Sequence, residues 1–472
     1  LSLKDQTAPL MSWIPNIHFE ISERKILLRI FDLVAITLTL VLVYSLFQFD
    51  YLKIRYSRWG WVFVLWLYYT VFAAIFELYD LQKAASFQTT LKNILLTVST
   101  TVLFFILTPF VTPVLPENRL QILLFFASMV VGLLVWRYAY ISLVSAPRFN
   151  KRILVVGNSF DINLIAENLH KADPNYRVIG FVNTDEIQAK DFDRRLKAIE
   201  VANLIKSIKR YSVSEIVVAS AAQGVGVELY NKLLVLLERG FPIREYTQVY
   251  EEITHRVPVQ HVERDFYKYF PFSRSNKNRF YLFISRLFNV IFALCVMFVS
   301  LFIIPLVFIG NLMGNRGPLF YTQERVGLNG KPFHILKLRT MIINAEAEGA
   351  QWASKTDRRI TPFGKILRNL RIDEIPQCVN ILKGEMSLIG PRPERPVFVQ
   401  ELSEKIPFYQ IRHTVKPGLT GWAQVRGRYA ESIDDTLEKL QYDLFYIKHR
   451  NLFLDLNILL KTISTVLYYR GQ

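Results

Sequence analysis

Four stretches dominated by apolar side chains occupy the first third of the chain, at 26–47, 59–79, 93–113 and 119–145. Each can reach the roughly 20 residues that a helix needs to cross a bilayer core. The pattern predicts four membrane-spanning helices, because four such runs in succession exceed what a soluble core needs. Trp59, Trp61, Tyr68 and Tyr69 fit interfacial or bundle-facing aromatics. An even number of spans puts both ends on one side. Basic residues near those ends (Arg24, Lys25 and Arg29 before, Lys83 and Lys92 between, Arg148, Lys151 and Arg152 after) point to the cytoplasmic side. The loop carrying Lys53, Arg55 and Arg58 points the other way. No signal peptide with a small-residue cleavage site is visible, so the first run reads as an anchor.

At 151 the pattern changes. "KRILVVGNSF" is a β-branched run ending in Gly157, followed by helical periodicity from 160 to 172, then "YRVIGFV" and, at 214–220, "SEIVVAS". Strands alternating with helices predict an α/β, Rossmann-like module over 149–255 with a parallel sheet. "GNSFDI" has one glycine where a dinucleotide fingerprint has three, so the backbone has no close approach to a pyrophosphate. The module therefore reads as a regulatory or assembly element. A linker is expected over 256–280.

A fifth apolar run, Leu287 to Ile309, spans 23 residues, about 34 Å as helix. Lys277, Arg279 and Arg286 precede it, and Arg316 and Arg325 follow. Basic residues at both ends favour one side of the membrane for both. Pro305 removes a helix hydrogen bond, which predicts a bend and a re-entrant helix over 281–310 that returns through one leaflet. Beyond it, Gly and Pro turns separate short strands in "GPLFYTQERVGLNGKPFHILKLRTM", and Lys337 and Arg339 share a strand face. The 281–472 segment reads as an α+β domain.

The composition narrows the partners. The 472 residues are 51% apolar and 21% charged, with a net charge of +17. Such a surface suits nucleic acid, anionic lipid or phosphorylated substrates. The membrane segments select the last two, and no nucleic-acid partner is expected. Cys295 and Cys378 form neither a metal pattern nor a disulfide framework; Cys295, inside an apolar run, is expected to be a small buried hydrophobe.

The candidate chemistry centres on "LRIDEIPQ" at 370–377. Asp373 and Glu374 are adjacent acids, which must be solvated, paired or metal-bound. Pro376 and Gly384 bracket a short helix, placing the acids at its N-terminus, where carboxylates and an incoming phosphate are both stabilised. Ordinary helix capping would explain an isolated pair. The surroundings argue for more: Arg358, Arg359, Lys365, Arg368 and Arg371 come before, and Arg392 and Arg395 follow among the prolines of "IGPRPERP". "VKPGLTGWAQVRGR" then adds turn chemistry, Trp422 and two arginines. Acids among arginines beside a membrane suggest two phosphorylated substrates meeting at one metal. Ser432 and Asp435 predict a capping box. The 452–469 run, interrupted by Asp455 and Lys461, reads as a surface-lying or core helix.

"QERVGLNGKPFHILKLRTM", "RIDEIPQCVNILKGEMSLIGPRPERP" and "VKPGLTGWAQV" resemble the bacterial sugar transferase family over about 280–472. These are monotopic phosphoglycosyl transferases that move a hexose-1-phosphate onto undecaprenyl phosphate. The four-span bundle and Rossmann-like module resemble the family's large form by architecture. The resemblance implies Asp373 as nucleophile, Glu374 as partner acid with Asp373 at Mg2+, and Arg392 and Pro393 in a nucleotide-contacting segment. Lys337, Arg339, Arg371, Arg395 and Gln424 are further candidate substrate contacts. It also implies a UDP-hexose donor, UDP-glucose with UDP-galactose as the alternative, and a catalytic domain on the cytoplasmic face of the bacterial inner membrane. The resemblance leaves a homo-oligomer open. Two other classes remain as alternatives: a catalytically silent scaffold of polysaccharide assembly, opposed by the intact acid pair, and a nucleotide-sugar oxidoreductase, opposed by the missing glycines.

Overall fold

The computed structural model describes residues 21–47, 60–80, 87–116, 118–143, 151–157, 159–172, 176–183, 196–219, 226–259, 278–343, 345, 357–427 and 432–467. Lys53, Arg55, Arg58, Lys83 and Arg148, which entered the orientation reading, lie outside these residues. The chain divides into two compact units, Leu1–Thr254 and His255–Gln472.

The first unit opens with four apolar helices: α1 (Ile21–Phe47), α2 (Gly60–Ile75), α3 (Phe87–Leu107) and α4 (Leu120–Leu143). Three are long and apolar enough to cross a membrane, and α2, with 16 residues, is shorter. The third run is displaced toward the N-terminus relative to 93–113, because Pro109 disfavours a helical residue before it. Leu28, Ile36, Leu65, Ile94, Val98 and Phe125 are fully buried between the helices. Gly132 sets the α1–α4 spacing: a Cβ there would lie 2.6 Å from Thr39 Oγ1 and 3.0 Å from the Ala35 carbonyl. Inside this packing, Arg137 of α4 pairs with Asp32 of α1 at 2.6 Å, and the Tyr69 hydroxyl donates to the same carboxylate at 2.7 Å.

The Rossmann-like module follows as β1 (Lys151–Gly157), α5 (Ser159–Ala172), β2 (Tyr176–Asn183), β3 (Lys197–Ala198), α6 (Leu204–Tyr211), β4 (Glu215–Val218), α7 (Val227–Glu238), β5 (Ile243–Glu245) and α8 (Tyr246–Thr254). The sheet is parallel throughout, in the order β3-β2-β1-β4-β5. The central strand is covered on both faces, which explains why "ILVV" is apolar without alternation.

The second unit begins at His255, the last residue of the expected module, and takes in the start of the expected linker. The Trp422 indole donates to the His255 carbonyl at 3.1 Å, Val257 N–H donates to the Gln441 carbonyl at 3.1 Å, and Val257 and Val259 are buried with Trp422. Apolar side chains at 257 and 259 recruit this segment to the domain core, so a free linker does not start at 256; the stretch from 260 to 277 lies outside the described residues.

The fifth apolar run is α9 (Arg279–Gly314), 36 residues, about 54 Å as straight helix. Helical backbone continues on both sides of Pro305, which lies inside the helix. One missing N–H costs one ladder bond, and the long helical turns on each side carry the helix across it. Both flanks of Pro305 nonetheless return to the same domain. On one side Arg286 donates to the carbonyls of Ile381 and Leu382 at 2.6 and 2.7 Å, and Asn289 bonds Ser387 and Leu388 N–H. On the other, Asn315 donates to the Arg339 carbonyl at 2.7 Å, and Gly310 packs against the end of the Phe363 ring. Cys295 sits on the outer flank and is exposed, not buried, because only the stripe through Tyr281, Asn289, Ala293, Ser300, Val307 and Asn311 faces inward.

The remaining elements are the hairpin β6 (Phe320–Val326) and β7 (Pro332–Leu338), α10 (Pro362–Asn369), α11 (Gln377–Lys383), β8 (Ser387–Ile389), α12 (Pro396–Lys405), β9 (Gly418–Thr420), α13 (Trp422–Arg426), α14 (Ile433–His449) and α15 (Leu452–Leu467). The capping box expected at Ser432 and Asp435 opens α14. In α15, Ile458 is core while Phe453 and Leu456 are exposed. The polar interruption has a partner there: Asp455 accepts from Tyr281 at 2.8 Å and Tyr446 at 3.2 Å.

Candidate active site

The acid pair is placed by a reversal of the chain. Thr361 caps α10 by accepting from Gly364 N–H at 3.0 Å, with Pro362 in the first turn. After Asn369, Arg371 adopts a left-handed backbone (φ 57°), and Ile372–Glu374 form one 3-10 turn. Asp373 and Glu374 are both buried. They precede α11 but neither caps it: its N-cap position is Pro376, without a side-chain cap. The expected Gly384 terminates α11 with φ 83°. Plain helix capping therefore does not account for the pair.

Cations converge on Glu374. Its Oε1 accepts from Arg392 at 2.9 Å, with Lys337 Nζ at 3.6 Å and Arg371 at 3.9 Å. Burial would raise the Glu374 carboxyl, but Arg392, Lys337 and Arg371 outweigh it and bring it down to about 2. Asp373 moves the other way, raised by burial and by the adjacent Glu374 charge. Burial lowers the Lys337 ammonium to about 8 against the pull of Glu374. The two acids thus have unlike electrostatics: Glu374 is the charged anchor of the cations, and Asp373 is the less committed carboxylate beside it.

The other sequence candidates divide. Arg392 is brought directly to the pair. Pro393 contributes its carbonyl, which accepts from Arg325 at 3.3 Å. Arg395 lies over the Phe398 ring at 5.7 Å on the rim of the same cavity. Gln424 lines the cavity too; its amide donates to the Leu419 carbonyl at 3.1 Å, while its buried Oε1 has no partner. Arg339 also lines the cavity, but its guanidinium is engaged: it donates to the carbonyls of Asn315, Pro318 and Met341, tying the end of α9 to the segment after β7. The Asn315 and Pro318 carbonyls lie just past the C-terminus of α9, where a guanidinium is well placed to bond them. Arg325 and Arg412 were missed by sequence reasoning. Arg412 donates to the Arg392 carbonyl at 3.0 Å and to Asp443 at 2.9 Å, and Val326 N–H bonds the Glu394 carbonyl at 2.9 Å. Together these hold the Pro-Arg-Pro segment; bonds to backbone carbonyls leave no residue-type signature to read.

The acids and cations lie in a cavity of about 1590 Å³ within the second unit. Among the described residues no group of three His, Cys, Asp or Glu side chains could hold a metal. Mg2+ does not need one, since it is bound through one or two carboxylates plus substrate phosphates and water. Asp373 and Glu374 fit that donor set.

Residues 280–469 match the family model described as bacterial sugar transferase, and residues 74–223 match a CoA-binding domain. EpsL of Bacillus subtilis, an uncharacterized sugar transferase, is 42% identical over 154 residues, 33% of this chain and 72% of that protein. The chain belongs to the bacterial sugar transferase family. Two further relatives share this domain. The UDP-N-acetylgalactosamine-undecaprenyl-phosphate N-acetylgalactosaminephosphotransferase of Aeromonas hydrophila is 42% identical over 228 residues, 48% of this chain and 52% of that one. The UDP-glucose:undecaprenyl-phosphate glucose-1-phosphate transferase of Xanthomonas campestris is 43% identical over 162 residues, 34% of each chain. The match thus covers about half the Aeromonas relative and a third of the Xanthomonas one. In this family member, the Asp-Glu pair, the Pro-Arg-Pro segment and the β6–β7 hairpin all fall within the family match.

Proposed function

We propose that this membrane protein transfers a sugar-1-phosphate from a UDP-sugar to undecaprenyl phosphate, by way of a covalent intermediate on Asp373. The observation that carries the reading is the buried Asp373–Glu374 pair facing Lys337, Arg371 and Arg392 in one cavity. Asp373 attacks the sugar-linked phosphorus; an acyl-phosphate bond forms, the P–O–P bond breaks and UMP leaves. A lipid-phosphate oxygen then attacks the same phosphorus, releasing the Asp373 carboxylate and giving undecaprenyl-diphosphate-sugar. The cations offset charge on the diphosphate, which otherwise repels an anionic nucleophile. Bound at Asp373 and Glu374, Mg2+ would supply further charge neutralisation of the phosphates. Relatives named for UDP-glucose and for UDP-N-acetylgalactosamine support both as donors, and the latter joins UDP-glucose and UDP-galactose among the candidates. The active site faces the cytoplasm in this reading, with nucleotide sugars on that side.

The test is UMP release from a panel of UDP-sugars by the purified chain in lipid, with and without undecaprenyl phosphate. One donor should give rapid UMP and, without acceptor, one labelled sugar phosphate retained per chain. No release from any UDP-sugar would refute the activity and favour a silent scaffold.

A further inference from the structure

The cavity that holds the acid pair is larger than the roughly 300–1,000 Å³ of ordinary ligand pockets. It also has two chemically different walls. One carries Lys337, Arg368, Asp373, Glu374 and Arg392. The other is apolar, built from Phe288, Phe292 and Val296 of α9 and Leu459, Ile463 and Val466 of α15. Two anchors fix α15 beside this space: Asp455 accepts from Tyr281 at the start of α9, and Thr462 bonds Thr420 of β9 at 2.7 Å. Thr462 and Thr465, which line the cavity, turn their hydroxyls back to the carbonyls of Ile458 and Lys461 at 2.7 and 2.9 Å. Those hydroxyls are satisfied within the helix and ask nothing of an occupant.

The polar groups of a nucleotide sugar would be stripped of water against Phe292 and Leu459 with no partners offered, which is unfavourable. A hydrocarbon chain meets no such cost. Both flanking helices also expose apolar side chains outside the cavity, Phe298, Leu301 and Phe302 on α9 and Phe453 and Leu456 on α15. Surface of this kind belongs in lipid.

We infer that the cleft between α9 and α15 holds the first isoprene units of the acceptor, with its phosphate at the Asp373–Glu374 end of the same cavity. The inference rests on the proposed transfer to a polyprenyl phosphate and adds where the chain of that lipid runs. Phosphate chemistry at one wall and hydrocarbon chemistry at the other, in one continuous cavity, match the two ends of that one molecule.

The test uses the full chain in lipid nanodiscs and reads the two half-reactions separately. Ile463→Trp fills the cleft from a partly exposed position, and Phe292→Ala empties part of it. Leu301→Trp, on the outer face of α9, is the control. Expected is a rise of about tenfold or more in KM for undecaprenyl phosphate in the two cleft variants, with donor-only UMP release at the wild-type rate. That release also shows that the variants are folded. The control should leave both unchanged. An unchanged acceptor KM in both cleft variants would overturn the inference. So would an equal loss in the donor half-reaction, which would assign the apolar wall to the nucleotide sugar. If instead the wild-type chain releases no UMP from any donor, it is the proposed function that fails.

Discussion

At the residue scale the acid pair shows how neighbours divide labour. Asp373 and Glu374 are adjacent and both buried, yet Arg392, Lys337 and Arg371 all approach one oxygen of Glu374. Asp373→Asn keeps the shape and removes the nucleophilic carboxylate, so transfer should fall by about 10³-fold or more. Glu374→Gln should also be severe, because three cations lose their counter-charge; retention of label on Asp373 in this variant separates the two roles. Near-normal turnover by Asp373→Asn would exclude covalent catalysis at this residue. Lys337 gives a second prediction. Its ammonium is lowered to about 8, so it is charged below that pH and neutral above it. A cation facing phosphate is then lost as pH rises, and the rate should decline above about 8. Lys337→Arg, which stays protonated, should move that alkaline limb upward; a limb at the same pH would assign it to another group.

At the element scale, α9 decides the topology of the catalytic domain. Arg286 and Asn289 before Pro305 bond α11 and Ser387, and Asn315 just past the helix bonds the Arg339 carbonyl beyond β7, a strand itself held to α11 by Asn380, so neither flank can lie on the opposite side of a membrane from the other without breaking those bonds. Single cysteines replacing Arg279 and Met313, in a background lacking Cys295 and Cys378, should both be shielded from an impermeant thiol reagent in spheroplasts. Both should react in inverted vesicles, and opposite labelling would show a crossing helix. The bundle holds a second element-scale device. Asp32 and Arg137 are fully buried, and Tyr69 shares the carboxylate. Removing one partner leaves an uncompensated buried charge. Asp32→Asn or Arg137→Met alone should therefore destabilise by roughly 3–5 kcal/mol, and the double variant by less than either single one. Thermal denaturation in detergent gives the comparison, and additive losses would show that the pair is not coupled.

At the scale of the whole molecule, the division at Thr254/His255 separates the acid site from the front half. A chain starting at 255 should keep donor-only UMP release, because the cavity is lined entirely by later residues. A chain starting at 260 should be less stable, since it lacks the buried Val257 and Val259 and the His255 carbonyl that the Trp422 indole uses. Equal melting of the two truncations would show that 255–259 adds nothing to the domain. A folded 255-start chain without UMP release would show that catalysis draws on the front half.

Elements with a strong local period were legible from the sequence. The four apolar helices, the β1–α5–β2 alternation, the β6–β7 hairpin and the bracketing of α11 by Pro376 and Gly384 each follow from side-chain spacing and backbone preference within a few residues. The Asp-Glu pair and its arginine neighbours were legible as a motif for the same reason: they lie close in the chain. Side-chain commitments between distant segments were not. Lys337 and Arg339 are two positions apart and were expected on one strand face, but β7 ends at Leu338; Lys337 faces Glu374, and Arg339, just past the strand, ties down Asn315 and Pro318. Arg325 entered the sequence reading only as a charge flanking the fifth apolar run, and Arg412 did not enter it, until the fold laid the Pro-Arg-Pro carbonyls against them. Pro305 lies inside one helical segment, and only contacts with distant residues say where its two flanks dock. Local pattern determines which segments become helix or strand, because that choice is made within a turn or two of chain. Which donor meets which acceptor, and which apolar wall faces the acids, depends on segments up to 170 or more positions apart, as in Tyr281 with Asp455; only packing of the complete domain decides it.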